Sequence, residues 1–461
     1  MGRAASLCLS ILVLSAGVLL LNLNGCGGGG STGSITASGK IQHVVVIFQE
    51  NRTPDNLFHD PVLIAQGADI ASSGLNSSGN TIPLVATSLG IDYDLSHTHG
   101  AFVAMYDGGK MDGADKIPVR CYQTSCPPPN PQFMYVQASD VGPYFQMAEQ
   151  YTFGDRMFQT NQGPSFPAHQ FIISGTSAPT ATSNLFASEN TSLGTGCAAP
   201  AGASVALIDP TGHESGSTYP CFEHPTLSDE LDVKGLSWRY YTPSANFIWT
   251  GPDAIQHICQ AQTQNGQLAC TGSAWSNVVI PPKQVLTDIA NEQLAAVSWV
   301  IPTGQSSDHA GNANVTGGPS WVASIVNAIG ASSYWANTAI LITWDDWGGW
   351  YDHVPPPQVI NDGKSWGSGY VYGFRVPLIV VSPYAKPAYV SHITHDFGSI
   401  LNFVEQVFGL PSLGYADAHA DNLSDCFNFN QTPLTFHSIA APLSAEHFLN
   451  DRTPPTDPDD D

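Results

Sequence analysis

The sequence predicts an α/β layered fold with a mostly parallel central sheet, and three observations carry the prediction. Four short apolar runs rich in β-branched residues lack the polar alternation of half-exposed strands, so each reads as a strand buried on both faces. Helix-length stretches lie between them. Three of the runs lead into polar, ionisable clusters, and in open α/β sheets ligands bind at the carboxyl ends of the strands.

The elements follow in order. The first run is His43-Val44-Val45-Val46-Ile47-Phe48, and it closes on Gln49-Glu50-Asn51-Arg52. A helix-like stretch over 282–292 precedes the second run, Ala296-Val297-Ser298-Trp299-Val300-Ile301, which leads to Ser307-Asp308-His309. Residues 320–331 form the next helix, ahead of Ala339-Ile340-Leu341-Ile342-Thr343-Trp344 and its Asp345-Asp346. The fourth run, Val376-Pro377-Leu378-Ile379-Val380-Val381, precedes a helix over 399–408 for which Asp396 supplies the N-cap. One Asp after a strand is an ordinary cap or turn residue. Glu, Asn, Asp, Asp and His converging on one rim are a hard-ligand inventory suited to a divalent cation.

The 461 residues carry 14 Lys plus Arg against 38 Asp plus Glu, a net charge of -24, with 42% apolar residues. That length suits one large domain or two ordinary ones, and the composition excludes a coiled coil and argues against global disorder. No basic run occurs. Nucleic-acid binding draws its affinity from Lys and Arg on phosphates, so no nucleic-acid partner is expected, and phosphate chemistry here would require a metal ion.

Residues 1–25 read as a targeting segment: Arg3 supplies the positive region, residues 4–23 are mainly apolar, and Leu23-Asn24-Gly25-Cys26 follows. This resembles a bacterial lipoprotein signal, which implies an acylated Cys26 as membrane anchor, with residues 26–39 as a Gly/Ser-rich tether. An ordinary secretory signal is the other reading, and both export the protein, either anchored and facing the periplasm or cell exterior, or secreted. Residues 40–450 form the folded domain, and residues 451–461, rich in Pro and Asp, an acidic disordered tail. Cysteine usage fits an oxidising compartment: Cys121 with Cys126, Cys197 with Cys221 and Cys259 with Cys270 are the expected local pairs, leaving Cys426 as a buried free thiol.

Four motifs, in order, carry a family resemblance: Glu50-Asn51-Arg52-Thr53-Pro54-Asp55, Gly163-Pro164-Ser165-Phe166-Pro167, Thr343-Trp344-Asp345-Asp346-Trp347-Gly348-Gly349 with Asp352-His353-Val354-Pro355-Pro356, and Arg375-Val376-Pro377 leading into Ser382-Pro383. From about Gln42 to Leu410 the chain resembles the bacterial phosphoesterases, which unite acid phosphatases with non-specific phospholipases C in the alkaline-phosphatase-like superfamily. The resemblance implies a three-layer α/β/α catalytic domain, a divalent metal held by Glu50, Asn51, Asp345 and Asp346, and Ser165 as nucleophile, a Thr in the phospholipase members. It also implies active-site roles for His97, His309 and His353. The sequence departs from the family where Thr53-Pro54 stand for Ser-Phe, Asp346 for Glu, and Ala168-His169 for Asn-Arg; the last removes an Arg that could fork onto phosphate.

The residue types fit the chemistry. A serine hydroxyl is a poor nucleophile at neutral pH until a cation lowers its pKa and orients it, and His97 and His309 can donate to phosphoryl oxygens. His353 is the candidate acid for the leaving alkoxide, or a loop residue bonded to a carbonyl. Asp308 either orients His309 or binds metal, and His224 either reaches the site or sits on a surface loop. Trp344, Trp347, Trp350 and Tyr351 are pocket wall or packing. The expected activity is metal-dependent hydrolysis of phosphomonoesters through a phosphoserine, because the nucleophile is Ser and the chain ends soon after the core. Phospholipase C action on phospholipid head groups is the alternative, and a non-catalytic surface protein on the same scaffold is a third.

Overall fold

The computed structural model describes residues 39–123, 126–311, 314–358 and 372–456. Its principal sheet has eight strands. In chain order they are β1 (His43–Gln49), β2 (Thr152–Gly154), β3 (Trp238–Tyr241), β4 (Val278–Val279), β5 (Val297–Val300), β6 (Thr338–Trp344), β7 (Leu378–Val381) and β8 (Tyr389–Ser391). Across the sheet the order is β4-β3-β5-β1-β6-β7-β2-β8. All pairs are parallel except those of β7, which runs antiparallel to β6 and β2. The four expected runs are all strands of this sheet, within two residues at each end.

The sheet is the middle of three layers, as its register shows. Phe48 pairs with Thr343 and Gln49 with Trp344, and successive side chains point to opposite faces. Phe48 meets His169 and Phe397 edge-on, on the face covered by α2 (Ser165–Ser174) and α5 (Phe397–Phe408). Trp344 meets Tyr144 of α1 (Ala138–Gln150) on the other face, where α3 (Gln284–Ala290) and α4 (Gly317–Gly330) also pack. The expected helices over 282–292, 320–331 and 399–408 correspond to α3, α4 and α5, and Asp396 caps α5 by accepting the Ser399 N–H at 3.0 Å. Strands covered on both faces must be apolar throughout, and every residue of β1 after His43 is buried.

β1 lies between β5 and β6, so the loops after these three strands open at one rim. Because β7 runs the other way, its approach from Gly373 to Pro377 comes in at that rim. There Arg375 is fully buried and clamps four segments. Its Nε donates to both carboxylate oxygens of Asp352 (2.9 and 3.1 Å), one terminal nitrogen reaches Asp352 and Asp55, and the other the Asp69 and Asp155 carbonyls.

The three expected disulfides are formed and Cys426 is a buried free thiol. The signal, Cys26 and nearly all of the tether lie outside the described residues. Residues 451–456 carry no secondary structure; Lys283 Nζ donates to the Leu449 and Asp451 carbonyls, and Pro454 and Pro455 wall a cavity of about 280 Å³ with Pro281, Pro282 and Trp321. Residues 457–461 lie outside the described residues.

Replacing Arg375 by Met should leave Asp55 and Asp352 buried without their counter-ion, a loss of about 3 to 5 kcal/mol in chemical denaturation. A change below about 1 kcal/mol would show that the clamp is dispensable.

Candidate active site

The site starts from one carboxylate. Asp345 Oδ1 accepts the backbone N–H of Asn51 at 2.9 Å and that of Asp346 at 2.7 Å, which locks the end of β1 to the end of β6. The exit from β1 is bent sharply, with Asn51 in the left-handed region at φ 63°. The Gly-Gly pair after Asp346 makes the matching turn. Gly348 has φ 61°, its N–H donates to Asp346 Oδ1 at 2.7 Å, and a Cβ there would lie 2.3 Å from the Asn51 carbonyl oxygen. The backbone thus demands glycine in the Asp-Asp-Trp-Gly-Gly motif.

Ser165 enters from the opposite layer as the first residue of α2, and its Oγ donates to Asp346 Oδ2 at 3.2 Å. Four residues on, His169 shares that helix face. Its Nε2 lies 3.5 Å from Glu50 Oε1 and 4.0 Å from Asp345 Oδ2. Its Nδ1 lies 3.3 Å from the Tyr240 hydroxyl, which gives its own proton to the Trp249 carbonyl at 2.9 Å. That hydroxyl accepts from Nδ1–H, so Nε2 keeps a lone pair toward the carboxylates.

His97 closes the cluster. Its Nδ1–H donates to the Leu95 carbonyl at 2.9 Å, and its Nε2 is 3.2 Å from Asn51 Nδ2 and 3.8 Å from Asp346 Oδ2. His309 has the same arrangement, with Nδ1 on the Ala310 carbonyl at 2.7 Å and its ring centroid 6.0 Å from that of His97. With Nδ1–H held on a carbonyl, a neutral ring presents an acceptor at Nε2 and donates only once protonated.

Glu50, Asn51, Ser165, His169, Asp345 and Asp346 are all fully buried. Ligand atoms of Glu50, His169 and Asp345 lie within 4.8 Å of one another. Asn51 Oδ1 and Asp345 Oδ2 are buried oxygens that accept no hydrogen bond from any described residue. Packed carboxylates and orphan oxygens away from water are unfavourable unless a cation joins them, so these residues fit a divalent metal. The structure therefore brings together Glu50, Asn51, Asp345, Asp346, Ser165 and His97, with His309 beside them. Asp346, expected among the ligands, here receives the Ser165 hydroxyl. His169 was missed; the signal was the Ser165/His169 spacing once 165–174 is read as a helix.

His353 stands elsewhere. Its ring nitrogens are 2.7 Å from Asp55 Oδ2 and 3.0 Å from Asp69 Oδ1, in the Arg375 clamp. Asp55, Asp352 and His353 also have metal-ligand spacing, but Arg375 already neutralises that pocket. Asp308 is spent on the α1 face, where Tyr144 and Trp344 donate to its Oδ2 at 2.7 and 2.9 Å, so its carboxylate makes no hydrogen bond to His309. Burial pushes its carboxyl up to about 6, against the pull of Tyr144 and Arg52. His224 is buried, not on a surface loop, and its ring lies edge-on to Tyr415. Trp344, Trp347, Trp350 and Tyr351 are packing: all are buried, with Trp347 edge-on to Phe374, Trp350 under Arg52 and Tyr351 stacked on Phe133.

The chain belongs to the phosphoesterase family, whose model matches residues 41–411. It is 24% identical over 432 residues to the non-hemolytic phospholipase C of Pseudomonas aeruginosa, covering 84% of this chain and 57% of that protein. It is 26% identical over 454 residues to phospholipase C A of Mycobacterium tuberculosis, covering 87% of this chain and 80% of that protein. A solved protein of the alkaline phosphatase superfamily from Vibrio parahaemolyticus aligns over 83% of this chain and 70% of its own, with 11% identity and a TM-score of 0.36. That likeness is too low to argue from, and the fold class rests on the sheet itself.

The His353 placement has a testable consequence. Burial pulls its imidazole toward neutrality, but the hydrogen bond and charge of Asp55 outweigh this and raise its pKa above the usual value. A raised folded pKa means the stabilisation is fully present below about pH 6.5 and lost as pH rises through the folded value. His353→Gln should lower the thermal midpoint most near pH 6 and least near pH 9, with kcat/KM on a phosphate ester within about threefold of wild type. A loss beyond about a hundredfold at unchanged stability would make His353 catalytic after all.

Proposed function

We propose that this protein hydrolyses phosphate esters, with Ser165 as nucleophile and with Glu50, Asn51, Asp345 and His169 holding a divalent metal. The observation that carries the reading is the Ser165 hydroxyl donating to Asp346 beside a buried acidic cluster, in a member of the phosphoesterase family. A bound cation would polarise the ester and favour the ionised serine. The chain's own groups do the rest. Asp346 orients the hydroxyl and takes up its proton as Oγ bonds phosphorus and the ester P–O bond breaks, sending the electron pair to the leaving oxygen. Water then bonds phosphorus as the seryl P–O bond breaks, and Asp346 returns its proton to the Ser165 Oγ. His97, with Nε2 toward the cluster, and His309, its ring centroid 6.0 Å from that of His97, are placed to carry protons to the leaving group and from the water.

Small phosphomonoesters are the favoured substrates, on the Ser in place of the phospholipases' Thr. Phospholipid head groups are the second reading, favoured by the relatives, which are named phospholipases C. The chain spans little more than half the length of the Pseudomonas relative. Export is part of the proposal, supported by three disulfides.

Assays on p-nitrophenyl phosphate, bis-p-nitrophenyl phosphate and phosphatidylcholine should show the monoester turned over best; preference for phosphatidylcholine would favour the second reading. Ser165→Ala should abolish turnover with fold and metal content retained, and Asp345→Asn should lower metal content and activity together, partly restored by excess divalent cation. Full activity in metal-free protein would make the acidic cluster structural.

A further inference from the structure

Ser165 opens α2, but the preceding residue, Pro164, has no side-chain acceptor for the N–H groups of the first turn. The acceptor comes from another segment. Asn190, in the loop after the short strand Phe186–Ala187, takes the Phe166 N–H on its Oδ1 at 3.0 Å. That loop is pressed against the nucleophile's own: a Cβ on Gly163 would lie 1.7 Å from the Ser188 carbonyl oxygen. Its middle residue, Glu189, accepts the backbone N–H of His99, two residues past His97, at 2.9 Å. Residues 188–190 therefore hold both the Ser165 turn and the His97 segment in place.

The other end of the same carboxamide has no such use. Asn190 Nδ2 is buried and donates to no described residue. A donor buried without an acceptor bears the full cost of its lost hydration, and such orphans call for an explanation that a ligand can supply. Fixing Oδ1 on the N–H next to Ser165 fixes this donor beside the nucleophile. Arg52 and Arg375 spend their donors on protein oxygens, so Asn190 Nδ2 adds a donor to the site.

We propose that Asn190 is a positioning and specificity residue. Its Oδ1 fixes the turn that carries Ser165, and its Nδ2 donates to a non-bridging oxygen of the phosphoryl group bound there. The inference rests on the phosphoesterase reading and names the contact that recognises the phosphoryl group.

Two variants separate its functions. Asn190→Asp keeps the acceptor for Phe166 N–H, removes the donor and adds charge; Asn190→Leu keeps the shape, removes both polar atoms and adds no charge. Only loss of the donor is common to both. Inorganic phosphate binding to the metal-loaded protein, measured by calorimetry and thermal shift, should weaken about tenfold or more in both, with kcat/KM on p-nitrophenyl phosphate falling in parallel and Asn190→Asp keeping the wild-type thermal midpoint without phosphate. Wild-type phosphate affinity in either variant overturns the assignment, since a drop in Asp alone reports charge and a drop in Leu alone reports the cap. Wild type that neither binds phosphate nor cleaves the ester would overturn the functional reading itself.

Discussion

The bond from the Asn51 N–H to Asp345 Oδ1 is the constraint on which the rest of the site depends. It joins the ends of two neighbouring parallel strands, and it does so with a carboxylate whose other oxygen faces the Glu50 and His169 side. Everything around it follows from keeping that geometry: the left-handed Asn51, the glycine at 348 that lets the two turns touch, and Gly348 N–H on Asp346. The buried negative charge this creates is unfavourable without a counter-ion, and the proposed cation would both offset it and favour an ionised Ser165.

The two faces of the sheet divide the work. On the α2 and α5 face, Ser165 and His169 reach the rim from one helix. On the α1 face, Asp308 is bound by Tyr144 and Trp344, and its backbone carbonyl takes Arg52 Nε at 2.8 Å. Its role is to hold the loop that carries His309. The Arg375 clamp similarly keeps the 53–57 turn, the segment after the Gly-Gly turn and the entry to β7 in one arrangement. Charged residues at this rim thus do two jobs, and only their partners distinguish them: Asp55 and Asp352 face an arginine, whereas Asp345 does not.

Much of this was legible in the sequence, for physical reasons. Strands covered on both faces must be continuous apolar runs, so β1, β5, β6 and β7 stood out, and polar residues directly after such runs had to lie at the rim. Of the strands that were missed, β2, β4 and β8 have too few residues to show a period, and β3 is interrupted by Arg239. Helix α2 is not among the expected helices because Pro164 and Pro167 flank Ser165, although proline is tolerated in a helix's first turn. Missing that helix hid His169. His353 misled for the opposite reason. Its motif neighbours Asp345-Asp346 in sequence, but the Gly-Gly turn carries it away to Asp55 and Asp69.

Ser165 is proposed to take up the phosphoryl group, and the cluster behind it to serve that transfer. The most direct measurement is acid quenching of the enzyme during turnover of a phosphate ester, followed by peptide mass analysis. The account predicts one phosphoryl group on the peptide containing Ser165, appearing within the first turnover and absent when the ester is omitted. Rapid product release with that peptide unmodified at every quench time would contradict it and assign the attack to water.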